Sequence, residues 1–335
     1  MQRCRAVAEW FGVTPPRFIV QGMVFYVTVR AVNRSFRFVP KRQVRKAIDY
    51  ALSVTLEKYR EAGKLTLHEF EFMSNHYHLL GTDKVGCLPD FIRDLNSLIS
   101  RELNAIRGIQ GTNIEATNIV QIVGEERIAE HSVYTLANPV RAFLVEKARH
   151  WKGTSSLRME YGVPVVVEKP RIGLWAEKLA HADRPASRRS KRAEYAGRSK
   201  LPATATLVID RPPIMAHLSD VELRAEIRER LARREREIAD DRRKRGIRVL
   251  GWARVVSRHF LSLPGRTEEL FTRTPSFSAS SEAERAALSV LVRTFRKLYR
   301  IAINLFRSGE RDTPFPEGTW LMRQRFGVRC VPIPA

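Results

Sequence analysis

Residues 64–81 read KLTLHEFEFMSNHYHLLG. Apolar and polar side chains alternate from Leu65 to Phe72, which is the period of a strand, and the pair Ser74 and Asn75 supplies a turn before HYHLLG. A β-hairpin is predicted. Upstream, RFIVQGMVFYVTV (17–29) is rich in β-branched and aromatic residues and predicts an initial strand. After Pro40, residues 41–63 place Val44, Ile48, Ala51 and Leu56 near helical spacing, with Gly63 as the stop. Downstream, Pro89 suits the first turn of a helix whose stripe is Phe91, Ile92, Leu95, Leu98, Ile99 and Leu103, ending before Gly108. NIVQIV (118–123) reads as a short strand. A further helix opens near Glu125, carries Ile128, Val133, Tyr134 and Leu136, and is disrupted or kinked at Pro139.

The order β, α, β, β, α, β, α predicts a ferredoxin-like α+β unit with an antiparallel sheet and one added helix, over residues 1–160. From 161 to 213 the periodicity weakens. Arg184, Arg188, Arg189, Lys191, Arg192, Arg198 and Lys200 crowd a stretch with several prolines, which reads as a basic linker. Residues 214–335 form a mainly helical, DNA-binding accessory region in this reading. Val221, Leu223, Ile227, Leu231 and Ile238 return to helical spacing with Arg and Glu on the other face. A capping-box pattern at Ser281 and Glu284 opens an amphipathic helix through Leu305.

Lys and Arg number 59 against 36 acidic residues, a formal charge of +23, which makes the molecule an attractor of polyanions, nucleic acid first. At 44% hydrophobic residues the chain has material for a core. Cys4, Cys87 and Cys330 lie far apart without CxxC spacing, so neither a zinc ribbon nor a disulfide framework is suggested. With no apolar leader and no long apolar run, the expectation is a cytoplasmic protein of the bacterial nucleoid that does not enter membranes. Its oligomeric state is open between monomer and homodimer.

Two short patterns carry chemistry. His76 and His78 stand at i and i+2 on one strand, so both imidazoles project from one face and can share a divalent ion; two surface histidines on a strand would look the same. Tyr134 and Asn138 stand at i and i+4 on a helix, which puts a hydroxyl and a carboxamide oxygen one turn apart. A packed tyrosine and an asparagine capping the helix before Pro139 fit equally. His68, His131, His150, His181, His217 and His259 have no partner at a ligand spacing and take ordinary surface or core roles. GWARVV (251–256) is a weak DNA-contact candidate against the alternative of a packed tryptophan.

MSNHYHLLG (73–81) resembles the HUH motif. YTLANPVRAFLV (134–145), followed by HWKGTSS (150–156), resembles the tyrosine helix and following turn of REP-associated tyrosine transposases, within the single-tyrosine HUH transposases. VFYVTVRAVNRSFRF (24–38) is similar to that family's first strand and loop, so the resemblance covers roughly 17–160. It implies a ferredoxin-like nuclease domain in which His76, His78 and Asn138 ligate Mg or Mn and Tyr134 forms a 5′-phosphotyrosine on single-stranded or hairpin DNA. Arg30, Arg34 and Arg141 are the candidate DNA contacts. Ser74 replaces a common proline and Tyr26 replaces a common first-strand histidine, neither of which performs the chemistry. FPEGTWLMRQRFGV (315–328) is similar to extensions of longer relatives. A retired transposase that binds structured DNA as a regulator, and a replication-initiator-type HUH endonuclease, are the competing readings.

Overall fold

The hairpin forms where the alternation places it. In the computed structural model, which describes residues 15–175, 201–265 and 275–334, β2 (Leu65–Phe72) pairs antiparallel with β3 (His76–Asp83), Phe72 opposite Tyr77. The Met73 N–H donates to the His76 carbonyl at 2.8 Å, closing the Ser74–Asn75 turn. A Cβ on Gly81 would stand 2.4 Å from the Thr66 carbonyl oxygen and 2.6 Å from the Phe25 ring, so glycine lets the neighbouring strands close over this point. Alternation misleads in one respect: β2 is buried along its whole length. Its polar face is covered by chain rather than water, with Glu69 bonded to Ser156 and Tyr161, Glu71 to Ser155, and His68 to the Asp210 carbonyl.

β1 (Met23–Ala31) lies between β3 and β4 (Ile114–Val123), antiparallel to both. It begins later than the composition of residues 17–29 predicts, because a turn at Gly22 (φ +78°) separates it from Ile19, whose N–H bonds to the Gly318 carbonyl instead. α1 (Arg42–Glu61) and α2 (Leu88–Arg107) pack together, and α2 ends on Gly108 in the left-handed conformation. The β-α-β-β-α-β run with β1 between β3 and β4 is a split β-α-β arrangement, and it sets two faces. Tyr77 points to the α1/α2 face, its ring on Phe38 and its hydroxyl donating to Asn96 Oδ1. His76 and His78 therefore point to the other.

That other face is covered by α3 (Glu125–Arg141), which packs over β2 and β3. Pro139 lies inside α3 rather than ending it. The carbonyl that Pro139 cannot serve belongs to Thr135, and Asn138 Nδ2 lies 3.4 Å from it and 2.9 Å from the Tyr134 carbonyl, so the side-chain amide bridges the gap in the ladder.

The sheet is five-stranded and mixed, not purely antiparallel: β7 (Phe277–Ala279), only three residues long, adds parallel to β4 at the edge. Within the stretch read as a linker, β5 (Val165–Glu168) and β6 (Thr204–Leu207) pair with each other, and β6 packs on α1. The basic cluster from Arg184 to Lys200 lies outside the described residues. α4 (Asp220–Lys244) opens on a complete Ser219/Glu222 capping box and packs against α3. After the short α5 (Trp252–Ser257), α6 (Glu282–Ser308) opens on the Ser281/Glu284 box read from the sequence. α7 (Leu321–Phe326), β8 (Phe315–Pro316) and β9 (Cys330–Val331) complete a small satellite with Ala302, Phe306, Met322 and Val328 as its own apolar cluster. The main core is continuous from the sheet into α4, whose Leu223, Ile227, Leu231 and Ile238 belong to it. Among the described residues no helix is long and apolar enough to cross a membrane.

Candidate active site

The space between β1, β3 and α3 brings together His76, His78 and Tyr134. Register places Thr28 of β1 opposite His78 and Arg30 opposite His76. The His76 and His78 rings are 4.8 Å apart, and the Tyr134 ring on α3 stands edge-on to His78 at 6.0 Å. Tyr134 is 39% exposed, so its hydroxyl-bearing ring reaches the surface while the histidines sit behind it. Arg141, two turns further along α3, holds its guanidinium 4.1 Å over the Tyr134 ring.

Hydrogen bonds fix the imidazoles. His76 Nδ1 is 2.7 Å from Asn75 Oδ1, which can only accept, so Nδ1 carries the proton and Nε2 the lone pair. His78 Nδ1 lies 2.7 Å from the Tyr26 hydroxyl and 3.1 Å from Thr28 Oγ1, two oxygens that allow the same tautomer. Burial lowers His76 to a pKa of about 4, with Arg30 and Arg34 pushing the same way. Burial first, then His76, Arg141, Arg30 and His131, hold His78 well below the usual imidazole range. Both rings are thus neutral at pH 7, the form that binds metal.

Asn138 lies one turn beyond Tyr134, buried, with its amide nitrogen committed to the helix carbonyls and its Oδ1 accepting from nothing among the described residues. Pro139 lying within the helix, Asn138 is not an end cap but bridges the carbonyls around the gap, a role compatible with its oxygen serving as a ligand. Among the described residues no three His, Cys, Asp or Glu side chains converge. By donor chemistry alone, two imidazole nitrogens and one carboxamide oxygen would suit a divalent ion that keeps further positions for phosphate and water.

Of the arginines, Arg30 and Arg141 flank the cluster, and Arg34 stands at the end of a short 3-10 turn with φ +53°. Spacing did not reveal Tyr26 or His131. The Tyr26 ring stacks on His78 at 5.3 Å and meets Tyr134 at 5.9 Å, so it buttresses both halves of the site. His131, read as an ordinary histidine, lies one turn before Tyr134, its ring 4.7 Å from Tyr26 and 6.3 Å from Tyr134. Its Nδ1 is buried without a hydrogen-bond partner among the described residues, and burial, then Arg127, lowers its pKa to about 4. The i−3 spacing from Tyr134 was the available signal. Trp252 of GWARVV packs edge-on to Trp151, the packed-aromatic alternative.

No family model matches this chain, and no curated protein matches it. A solved REP-associated tyrosine transposase bound to a REP hairpin is similar over 43% of this chain and 82% of that one, at 17% identity and a TM-score of 0.34, a likeness too slight to assign a family.

Proposed function

We propose that this chain is a metal-dependent nuclease and strand transferase of the HUH tyrosine transposase kind, acting on single-stranded or hairpin DNA through Tyr134. The observation that carries the reading is the meeting of an exposed tyrosine from α3 with two neutral, hydrogen-bonded imidazoles from β3. The resemblance of 73–81 and 134–156 to the HUH motif and tyrosine helix supports the same roles.

Tyr134 Oη attacks the scissile phosphorus, the bond from phosphorus to the 3′ oxygen breaks, and the 5′ phosphate stays on the tyrosine. The phenolic proton leaves and the departing 3′ oxygen takes one up, so the exchange is balanced. A 3′ hydroxyl can later reverse it on another strand without an added energy source. Held by His76 Nε2, His78 Nε2 and Asn138 Oδ1, a Mg or Mn ion would polarise the phosphate and offset charge developing on its oxygens. Arg141 holds the tyrosine ring and offers positive charge beside the attacking oxygen, while Arg30 and Arg34 supply phosphate contacts on the β1 side. Incubation with a panel of single-stranded hairpins and Mg or Mn should give a protein-linked strand that chelator prevents. Binding without cleavage across the panel would favour the regulator.

A further inference from the structure

Tyr134 opens onto a groove between α3 and α4. One cavity of about 390 Å³ is lined by Tyr134, Arg141, Arg230, Arg233 and Arg234 among others, and a second of about 330 Å³ by Arg141, Phe143, Arg234 and Arg245. They share Arg141, Arg234 and Glu237, so they adjoin along one groove, called the channel below. The helices run side by side in the same direction, since Arg230 meets Glu126 near the start of α3 and Arg245 lies over Phe143 just past its end. Arg230, Arg234, Ile238, Asp241 and Arg245 recur at helical spacing, one face of α4 extending about 22 Å.

We propose that this groove is a binding track for a single-stranded polynucleotide leading away from Tyr134. The inference rests on the proposed chemistry for the strand's starting point but not for its binding. Five arginines line the channel against Glu130, Glu237 and Asp241, so the lining is net positive. Arg141 has no carboxylate partner among the described residues. Arg230 is tied to both Glu126 and Glu226, but Arg233 with Glu229 at 3.4 Å, Arg234 with Glu237 at 2.6 Å and Arg245 with Asp241 at 3.0 Å form exposed pairs, weak enough to yield to bidentate phosphate contacts. Tyr134 and Phe143 place two aromatic rings along the channel. Phe143 adopts φ +52°, a conformation rare for a side chain of its size, held by the Leu250 N–H on its carbonyl. Such rings stack on unpaired bases, which a duplex does not offer.

The test is titration of the full chain with labelled oligodeoxythymidylate in chelator, comparing Arg233→Glu/Arg234→Glu with Arg236→Glu/Arg243→Glu, an equal charge change on α4 outside the channel. The groove variant should lose affinity on the order of tenfold or more, and its log–log salt slope should fall by about 1.4, two contacts at about 0.7 each. The control should change little. Equal losses in both would mean that affinity follows net charge, and would overturn the track. Undiminished binding by a groove variant that still forms the tyrosine adduct would overturn the track and leave the nuclease reading intact. Loss of binding by the groove variant, where the unaltered protein forms no adduct, would uphold the track and sink the nuclease.

Discussion

Two hydroxyls meet one imidazole nitrogen at His78, and the Tyr26 hydroxyl is the nearer, at 2.7 Å. Outer partners of this kind set the tautomer of a ligating histidine, and losing one typically costs about 10–100-fold in metal affinity. Tyr26→Phe should therefore weaken Mn binding by about tenfold in calorimetry, with thermal stability nearly unchanged because the ring still packs. Unaltered Mn affinity would remove Tyr26 from the site. The His76/His78 pair and the Tyr134/Asn138 pair were legible because each lies within one element and obeys that element's period. Tyr26 was not, since its nearness to His78 depends on β1 pairing with β3 and its nearness to Tyr134 on α3 packing over the sheet; His131 offered only its i−3 spacing from Tyr134. Glu102 is a second residue-scale case. Its carboxyl is fully buried behind Leu174, and burial raises its pKa from 4.5 to about 7. Between those values the folded protein holds a proton that the unfolded chain has released, so stability falls as pH rises from about 4.5 to about 7, on the order of 3 kcal/mol in all. Glu102→Gln should flatten that part of the pH–stability curve and raise the melting temperature at pH 8; a melting curve unchanged at both ends would contradict it.

At the scale of elements, β2 and α4 are tied by a charge pair that no local pattern announces. Arg224 Nη1 contacts Glu69 Oε1 at 2.6 Å with both side chains essentially inaccessible, 1% and 0% exposed, and Tyr161 and the Ser156 carbonyl complete the network. Removing one partner of such a pair leaves a buried charge uncompensated, at about 3–5 kcal/mol. Arg224→Met should show that loss in urea unfolding, and adding Glu69→Gln should recover much of it. Additive losses would contradict the coupling. The same contact bears on how the chain divides. A cut after Leu157 removes Arg224 and the apolar face of α4, so residues 1–157 should unfold without a cooperative transition. In the sequence Leu223, Ile227, Leu231 and Ile238 stand at helical spacing opposite a solvated Arg/Glu face, which predicts the helix but not that its apolar stripe joins the core of the sheet. The hairpin, α1, α2 and the Ser281/Glu284 capping box were legible because hydrophobic period and end signals agree there, whereas the Ser219/Glu222 box emerges only in the structure.

For the whole molecule, the charge of +23 indicates a polyanionic partner but not where the partner lies. That information comes from the packing of α4 beside α3, which turns a helix with balanced pairs into one wall of a positive channel opening at Tyr134. The parallel addition of β7 was equally unreadable, since three residues carry no periodicity. The central claim is that Tyr134 becomes covalently attached to DNA, and mass spectrometry of the digested reaction tests it most directly. After incubation with a cleavable single-stranded hairpin and Mn, the peptide containing Tyr134 should carry a 5′-phosphorylated nucleotide remnant. Tyr134→Phe should bind the hairpin nearly as well and yield no adduct. An adduct on any other residue, or cleavage that persists in Tyr134→Phe, would contradict the account.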